Sequence, residues 1–158
     1  MTWATDRLEA LAAGEVTPPP IVRTLKLGIF DEWGEGWVRK TWTPDPDLST
    51  EDGSLFGGYI AALADQALAF AAMTVVPDGA AFRTINLNLN FLRMGLNHGL
   101  QIEARIVSRS RRLITARVEF RDEAGALLAE ATGQQLVLPY EDARARGAPA
   151  SGDAPAAV

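Results

Sequence analysis

The sequence predicts an α+β fold, an antiparallel sheet wrapped against one long central helix, on three observations. Its segments run in the order helix, two strands, one long helix, four strands, with no strand–helix alternation of the kind that builds a parallel sheet. Tyr59 to Val76 is an alanine-rich, almost unbroken apolar run, which marks a helix buried on most of its sides. In the second half, apolar and polar residues alternate with the period of a pleated strand.

Trp3, Leu8, Leu11 and Ala12 recur at near-helical spacing before Gly14, so residues 3–13 form a short amphipathic helix that Pro18, Pro19 and Pro20 end. Two β-prone stretches, around Lys26–Trp33 and Gly36–Thr43, are separated by Gly34 and Gly36 and predict a hairpin. Pro44, Pro46 and Gly53 mark the loop into the long helix. Strands follow at Ala81–Arg93, Gly99–Arg109, Arg112–Arg121 and Ala126–Leu138. In the first of these, alternation puts Ile85, Leu87, Leu89 and Phe91 on one face and Thr84, Asn86, Asn88 and Asn90 on the other. In the third it opposes Ile114, Ala116, Val118 and Phe120 to Thr115, Arg117 and Glu119. The chain thus divides into an N-terminal helix and linker (1–24), the sheet-and-helix domain (25–139) and a flexible tail (140–158) rich in Ala, Pro and Gly.

At 158 residues the chain has the size of one domain, and 47% hydrophobic with 22% charged residues is a soluble globular composition. A net charge of -5 disfavours nucleic acid as a partner. Without cysteine there is no disulfide, thiolate nucleophile or thiolate metal site, and His98, the single histidine, excludes a multi-histidine metal site within one chain. MTWATDRLEALAAGE lacks the basic start and apolar core of a signal peptide, so a cytoplasmic location is expected. Asp65 and Gln66 inside the apolar run argue against a membrane span.

Asp65 is the chemical anomaly of that run. Its helical neighbours Ala61, Leu68 and Ala69 are all apolar and none can neutralise it, so the carboxylate is a catalytic candidate, to be weighed against an exposed acid or an interfacial ion pair. Gly57 and Gly58 stand where loop becomes helix, and there they let a ligand approach free N–H groups at the positive end of the helix dipole. A helix so apolar needs cover that one sheet cannot give, which predicts at least a homodimer, extended to a dimer of dimers.

The stretches EDGSLFGGYIAALADQALAFA, RTINLNLNFLR and GLQIEARIVSRSRRLITARVEFRDEAGALLAEATGQQLV, residues 50–138 in order, resemble the PaaI-type hotdog-fold acyl-CoA thioesterases, the 4-hydroxybenzoyl-CoA thioesterase-like family. The resemblance implies a hotdog fold and hydrolysis of an acyl-CoA carrying a medium-chain or aromatic acyl group. No cofactor is implied beyond the coenzyme A of the substrate. Asp65 falls on the family's catalytic acid, Gly57 on the glycine whose N–H polarises the thioester carbonyl, and Thr84 on a hydroxyl that orients water or the acid. The family's histidine is Phe56 here and its upstream asparagine is Thr50. Phe56 could line an acyl pocket, and the Thr50 hydroxyl could replace part of the asparagine's role. These two departures favour an alternative, a non-hydrolytic acyl-CoA or fatty-acyl binding protein. A hotdog dehydratase would use a histidine, and His98 lies in a turn.

Arg105, Arg109, Arg111, Arg112, Arg117 and Arg121 cluster within residues 105–121, where a solvated strand face is the default. Arg93, Arg111 and Arg112 are the candidates for the phosphates of coenzyme A, which forked guanidinium hydrogen bonds would hold.

Overall fold

The computed structural model describes residues 2–93 and 98–141. Its elements are α1 (Trp3–Ala12), α2 (Pro20–Thr24), β1 (Glu32–Gly34), β2 (Trp37–Trp42), α3 (Gly57–Met73), β3 (Ala80–Phe91), β4 (Leu100–Arg109), β5 (Leu113–Arg121) and β6 (Leu127–Pro139). The strands form one antiparallel sheet in the order β1-β2-β4-β5-β6-β3. This is the predicted hotdog arrangement, with α3 seated in the concave face.

Ile60, Leu63, Ala64, Ala67, Leu68 and Ala71 recur every three or four residues on α3 and are buried against the sheet. The opposing surface is the apolar parity set of three strands: Leu100, Ile102 and Ala104 on β4, Ile114, Ala116, Val118 and Phe120 on β5, and Ala129 and Ala131 on β6. On β5 the alternation matches the expected faces. The convex face is charged, and there Arg39 and Arg105 pair with Glu103, Arg117 with Glu119 and Glu130, and Arg121 with Glu119.

A second layer closes one side of the helix. Phe30 meets Phe70 edge-on at 5.0 Å between ring centroids, and Trp42 stacks on Tyr59 at 5.2 Å. Helix α1 starts with a reciprocal cap between Thr2 and Thr5 and buries Leu8 and Leu11 in the same core. It is further tied to the start of β3 by a 2.8 Å hydrogen bond from Trp3 Nε1 to the Ala80 carbonyl. At the other end of the chain, the Tyr140 N–H donates to the Gly79 carbonyl and its ring meets Trp3. The tail beyond residue 141 lies outside the described residues.

Three expectations need correction. The 1–24 segment contains a second helix, α2, which uses Pro20 at its first turn, where a missing N–H costs nothing. The predicted first strand is reduced to Glu32–Gly34, because Lys26 and Gly28 take positive φ values of 50° and 67°. The carbonyls of residues 27 and 28 are used by side chains instead of a neighbouring strand. Buried Lys40 Nζ donates to Leu27 O at 2.6 Å and to Gln66 Oε1 at 2.8 Å, and Gln66 Nε2 donates to Gly28 O at 2.8 Å.

The third correction is in β3. A bulge between Thr84 and Asn86 interrupts its pairing with β6, so that Thr84 opposes Gln135 while Asn86 opposes Gln134. Directly opposed residues share a face, so Thr84 points with Leu87, Leu89 and Phe91 toward the helix side and not with the asparagines. Ile85, the extra residue, is 56% exposed. Unlike the other long strands, β3 is open along its outer edge, and every residue from Arg83 to Phe91 is at least half-exposed or partly so.

Gly133 on β6 sets how deeply the helix seats. A Cβ there would stand 2.8 Å from Leu68 Cδ1 and 3.3 Å from the Asn86 carbonyl oxygen, with backbone on one side and a buried leucine on the other. Gly133→Ala is therefore expected to destabilise the fold by about 1–3 kcal/mol, measured by urea denaturation; an unchanged midpoint would refute the tight seating.

Lys40 gives a pH-dependent counterpart. Burial lowers its pKa from 10.5 to about 8, against a smaller opposing pull from Asp31. The unfolded chain then binds more protons between these values, so stability rises as pH goes from about 8 to 10.5, and below 8 the full cost of a buried charge is present. In Lys40→Met this contribution disappears. The native protein should gain up to about 3 kcal/mol relative to the variant between pH 7.5 and 10.5, and identical pH slopes in urea melts would contradict it.

Candidate functional site

The N-terminus of α3 is built without a side-chain cap. Phe56 holds the capping position with φ −58° and ψ 125°, and makes no capping hydrogen bond. Its own N–H donates to Leu48 O, and the Tyr59 N–H turns back to Phe56 O. Among the described residues the N–H groups of Gly57 and Gly58 have no acceptor, which leaves two donors at the positive end of a 17-residue helix.

Aromatic rings flank these donors. The Phe91 ring from β3 reaches within 3.0 Å of where a Gly57 Cβ would lie, and the Phe56 ring within 2.5 Å of the Gly58 counterpart. Both phenylalanines remain more than half exposed. Glycine at these two positions is what allows the rings to close on the helix end. Phe56 also lines a pocket of about 290 Å³ with Leu48, Ser49, Thr50 and Tyr59.

Thr50 is at the same end, but its hydroxyl is engaged in the loop. It bonds Asp52 Oδ1 at 2.5 Å, Ser54 Oγ at 2.8 Å and Ser54 O at 2.9 Å. Hydrogen bonds from Ser54 and then Thr50 pull the Asp52 carboxyl down to about 2. The loop that enters the helix is thus a self-contained hydrogen-bonded turn, closed by the bridge between Ser49 and Leu55.

Asp65 lies two turns further along α3. It is exposed and, among the described residues, makes no hydrogen bond or ion pair. Helical spacing puts it on one flank with Ala61, Leu68, Ala69 and Ala72. Leu68 meets Gly133 on β6, the strand beside β3, so that flank is the one turned toward the open edge of the sheet. The neighbouring Gln66, about 100° further round the helix, faces the β2 side, locked to Lys40 and Gly28. Thr84, exposed on the helix side of β3, belongs to the Asp65 flank.

The predicted residues therefore form three groups within one chain. Thr50, Phe56, Gly57, Gly58 and, through the end of β3, Arg93 cluster at the start of the helix, where the Arg93 N–H donates to Leu128 O. Asp65 and Thr84 lie on the open flank. Arg111 and Arg112 occupy the β4–β5 turn, bordering a cavity of about 570 Å³ with Pro77, Gly79, Ala80 and Val137, beyond the other end of the helix. Arg93 and the Arg111–Arg112 pair are separated by most of the 12-residue strand β3, on the order of 35 Å. Arg105, Arg117 and Arg121, by contrast, are neutralised on the convex face. His98 is exposed in its turn.

Three polar or aromatic features were missed in the sequence. Phe91 was read only as a core-face residue, and Lys40 only as part of a strand. Gln135 is fully buried on β6, and its one visible signal is its place in the otherwise apolar series Ala129, Ala131, Gly133 and Val137.

The family model of the thioesterase superfamily matches residues 52–129, from the loop before α3 through most of the sheet. A protein of Saccharolobus solfataricus whose name places it with the esterases is 29% identical over 114 residues, 70% of this chain and 74% of its own. A Ralstonia eutropha structure, named for thioesterases and as a phenylacetic acid degradation-related protein, superposes with TM-score 0.73 at 27% identity, covering 81% of this chain and 97% of that one. A Streptococcus mutans protein solved with acetyl-CoA shares the fold at TM-score 0.64 and 23% identity over 70% of this chain and 88% of its own. With the matched segment spanning the uncapped glycine helix and its carboxylate, the chain is similar to the thioesterase superfamily and has the hotdog fold of its thioester hydrolases.

Proposed function

We propose that the protein hydrolyses an acyl-CoA thioester with a medium-chain or aromatic acyl group, in a site completed by two copies of the chain. The observation that carries this is a separation. Gly57 and Asp65 are eight residues apart on one straight helix, about 12 Å along its axis, too far for both to act on one carbonyl. Asp65 is nevertheless on the flank beside the unpaired edge of β3. A second copy adding its β3 antiparallel to this edge sets the two helices side by side in opposite directions. The Asp65 of one copy then faces the Gly57 of the other. A long open strand edge is a ready template for such pairing.

In that site the free N–H groups of Gly57 and Gly58 polarise the thioester carbonyl and hold the oxyanion that develops on it. Asp65 takes a proton from water as the water oxygen attacks the carbonyl carbon. The tetrahedral intermediate collapses with loss of the coenzyme A thiolate, which takes the proton back from Asp65, leaving a free thiol and a carboxylic acid that then releases its own proton to water. Attack by Asp65 itself, through an anhydride that water then opens, uses the same groups. Phe56 and Phe91 supply apolar walls for the acyl group. Acetyl-CoA bound to the Streptococcus mutans protein of the same fold supports an acyl-CoA ligand.

The alternative, acyl-CoA binding without turnover, draws on the uncapped Phe56 and on the Thr50 hydroxyl being tied to Asp52 and Ser54. Thiol release from hexanoyl-CoA and benzoyl-CoA separates the two. Asp65→Asn is expected to lower kcat by about 100-fold or more while the variant still binds substrate; native-like turnover in the variant would remove Asp65 from the mechanism, and binding without any native turnover would establish the alternative. Phe56→His should raise kcat several-fold by adding a hydrogen-bonding group at the helix entry. No gain in a folded variant would show that position 56 does not limit the chemistry.

A further inference from the structure

Gln135 is the one side chain among the described residues that is fully enclosed and has no hydrogen-bond partner for either amide atom. Buried polar groups are almost always paired, and an orphan amide costs stability without return unless the working protein uses it. Its Nε2 lies 3.7 Å from the point a Gly133 Cβ would occupy, beside the methyl group of Leu68. Leu68 shares a helix flank with Asp65, so that flank borders Gln135.

Across the sheet Gln135 has two register partners, Ile114 on β5 and Thr84 on β3. Ile114 offers no polar atom. Thr84 offers a hydroxyl, and the bulge at Ile85 is what turns this residue to the same face. Directly opposed Cβ atoms lie about 4.5–5.5 Å apart, a gap the three-bond glutamine side chain bridges easily.

We propose that Gln135 is a positioning residue of the hydrolytic site, acting through Thr84; the inference rests on the thioesterase reading above. In the working site Gln135 Oε1 turns to accept the hydrogen bond of the Thr84 hydroxyl, a bond that is not made in the structure itself. With its proton committed there, the Thr84 oxygen can only accept, so it holds one O–H of the attacking water while the other O–H points to Asp65. The water's lone pair is left for the thioester carbon. Without Gln135 the hydroxyl rotates freely and can donate to that lone pair, which blocks the attack. No bond is made or broken by either residue.

The test is Gln135→Met, which keeps the length and shape of the side chain but removes the amide. Thermal stability is expected to hold or increase, while kcat for hexanoyl-CoA falls about 10- to 100-fold with KM within about two-fold. Thr84→Val should have a similar effect, and the double variant should be no slower than the worse single one. A merely structural glutamine would leave kcat at the native value and the effects additive, and that result overturns the proposal. One readout needs no turnover: the Gln135 side-chain amide signals in a 15N-labelled sample, identified by their loss in Gln135→Met, should shift in Thr84→Val, and unmoved signals refute the pairing. If Asp65→Asn retains native activity, the role given to Asp65 fails by itself, and the amide signals alone then decide whether Gln135 and Thr84 are paired; if the native protein shows no turnover at all, the hydrolytic reading fails and the same signals decide the pairing.

Discussion

The seating of α3 in the concave sheet is the constraint on which the rest of the structure depends. Two contacts fix it. Leu68 enters the space left by the missing side chain of Gly133, which sets how close the helix axis comes to the sheet. Gln66 is held by Lys40 and Gly28, which sets the rotation of the helix about its axis. Successive helical residues are about 100° apart, so a slip of one position would swing Asp65 toward Lys40 and carry Gln66's amide into the buried place of Ala67. Depth and rotation together leave one flank of an otherwise apolar helix open, and that flank bears the carboxylate.

The same seating clarifies why a buried lysine is retained. Lys40 loses much of its hydration, which is the leading cause of its lowered pKa, with only the distant pull of Asp31 in its favour. Its hydrogen bonds go to a backbone carbonyl and to Gln66, so it links the irregular segment after α2 to the central helix. A methionine could fill the volume but could not satisfy Leu27 O and Gln66 Oε1 together. The lysine is thus a structural clamp on the face of the helix next to the one that bears Asp65.

Most of the architecture was legible because it is written in periodicity. The four long strands fall within one or two residues of their expected limits, and the helix occupies the apolar run. What periodicity could not show is where side chains replace backbone partners. Lys26 to Asp31 has strand-like residues, yet Lys40 and Gln66 take the carbonyls a neighbouring strand would have used. Nor could alternation reveal the bulge at Ile85, since Thr-Ile-Asn-Leu-Asn-Leu-Asn-Phe keeps its rhythm straight through the point where the backbone skips a residue. That skip moved Thr84 from the asparagine face to the helix side. Asp65 and the glycine pair were visible as departures from their surroundings. Gln135 was harder to see, because a glutamine beside another glutamine on a strand looks like solvent-facing sequence until the register is known.

The separations within one chain are themselves informative. Gly57 and Asp65 are two turns apart, and Arg93 and the Arg111–Arg112 turn stand at opposite ends of β3. Under the proposed antiparallel pairing of two β3 edges, one symmetry operation reduces both distances. The residue-91 end of one strand comes alongside the residue-80 end of the other, so Arg93 of one copy approaches Arg111 and Arg112 of its neighbour as Asp65 approaches Gly57. A ligand with phosphates at one end and a thioester at the other spans that interval in a way no single copy can. The exposed apolar residues along the same border, Ile85, Phe91 and Phe56, would then be covered by protein and ligand together. Dimer and substrate site are, on this view, one interface, and a change that prevents the strand edges from pairing should remove catalysis even where every residue of the site is intact.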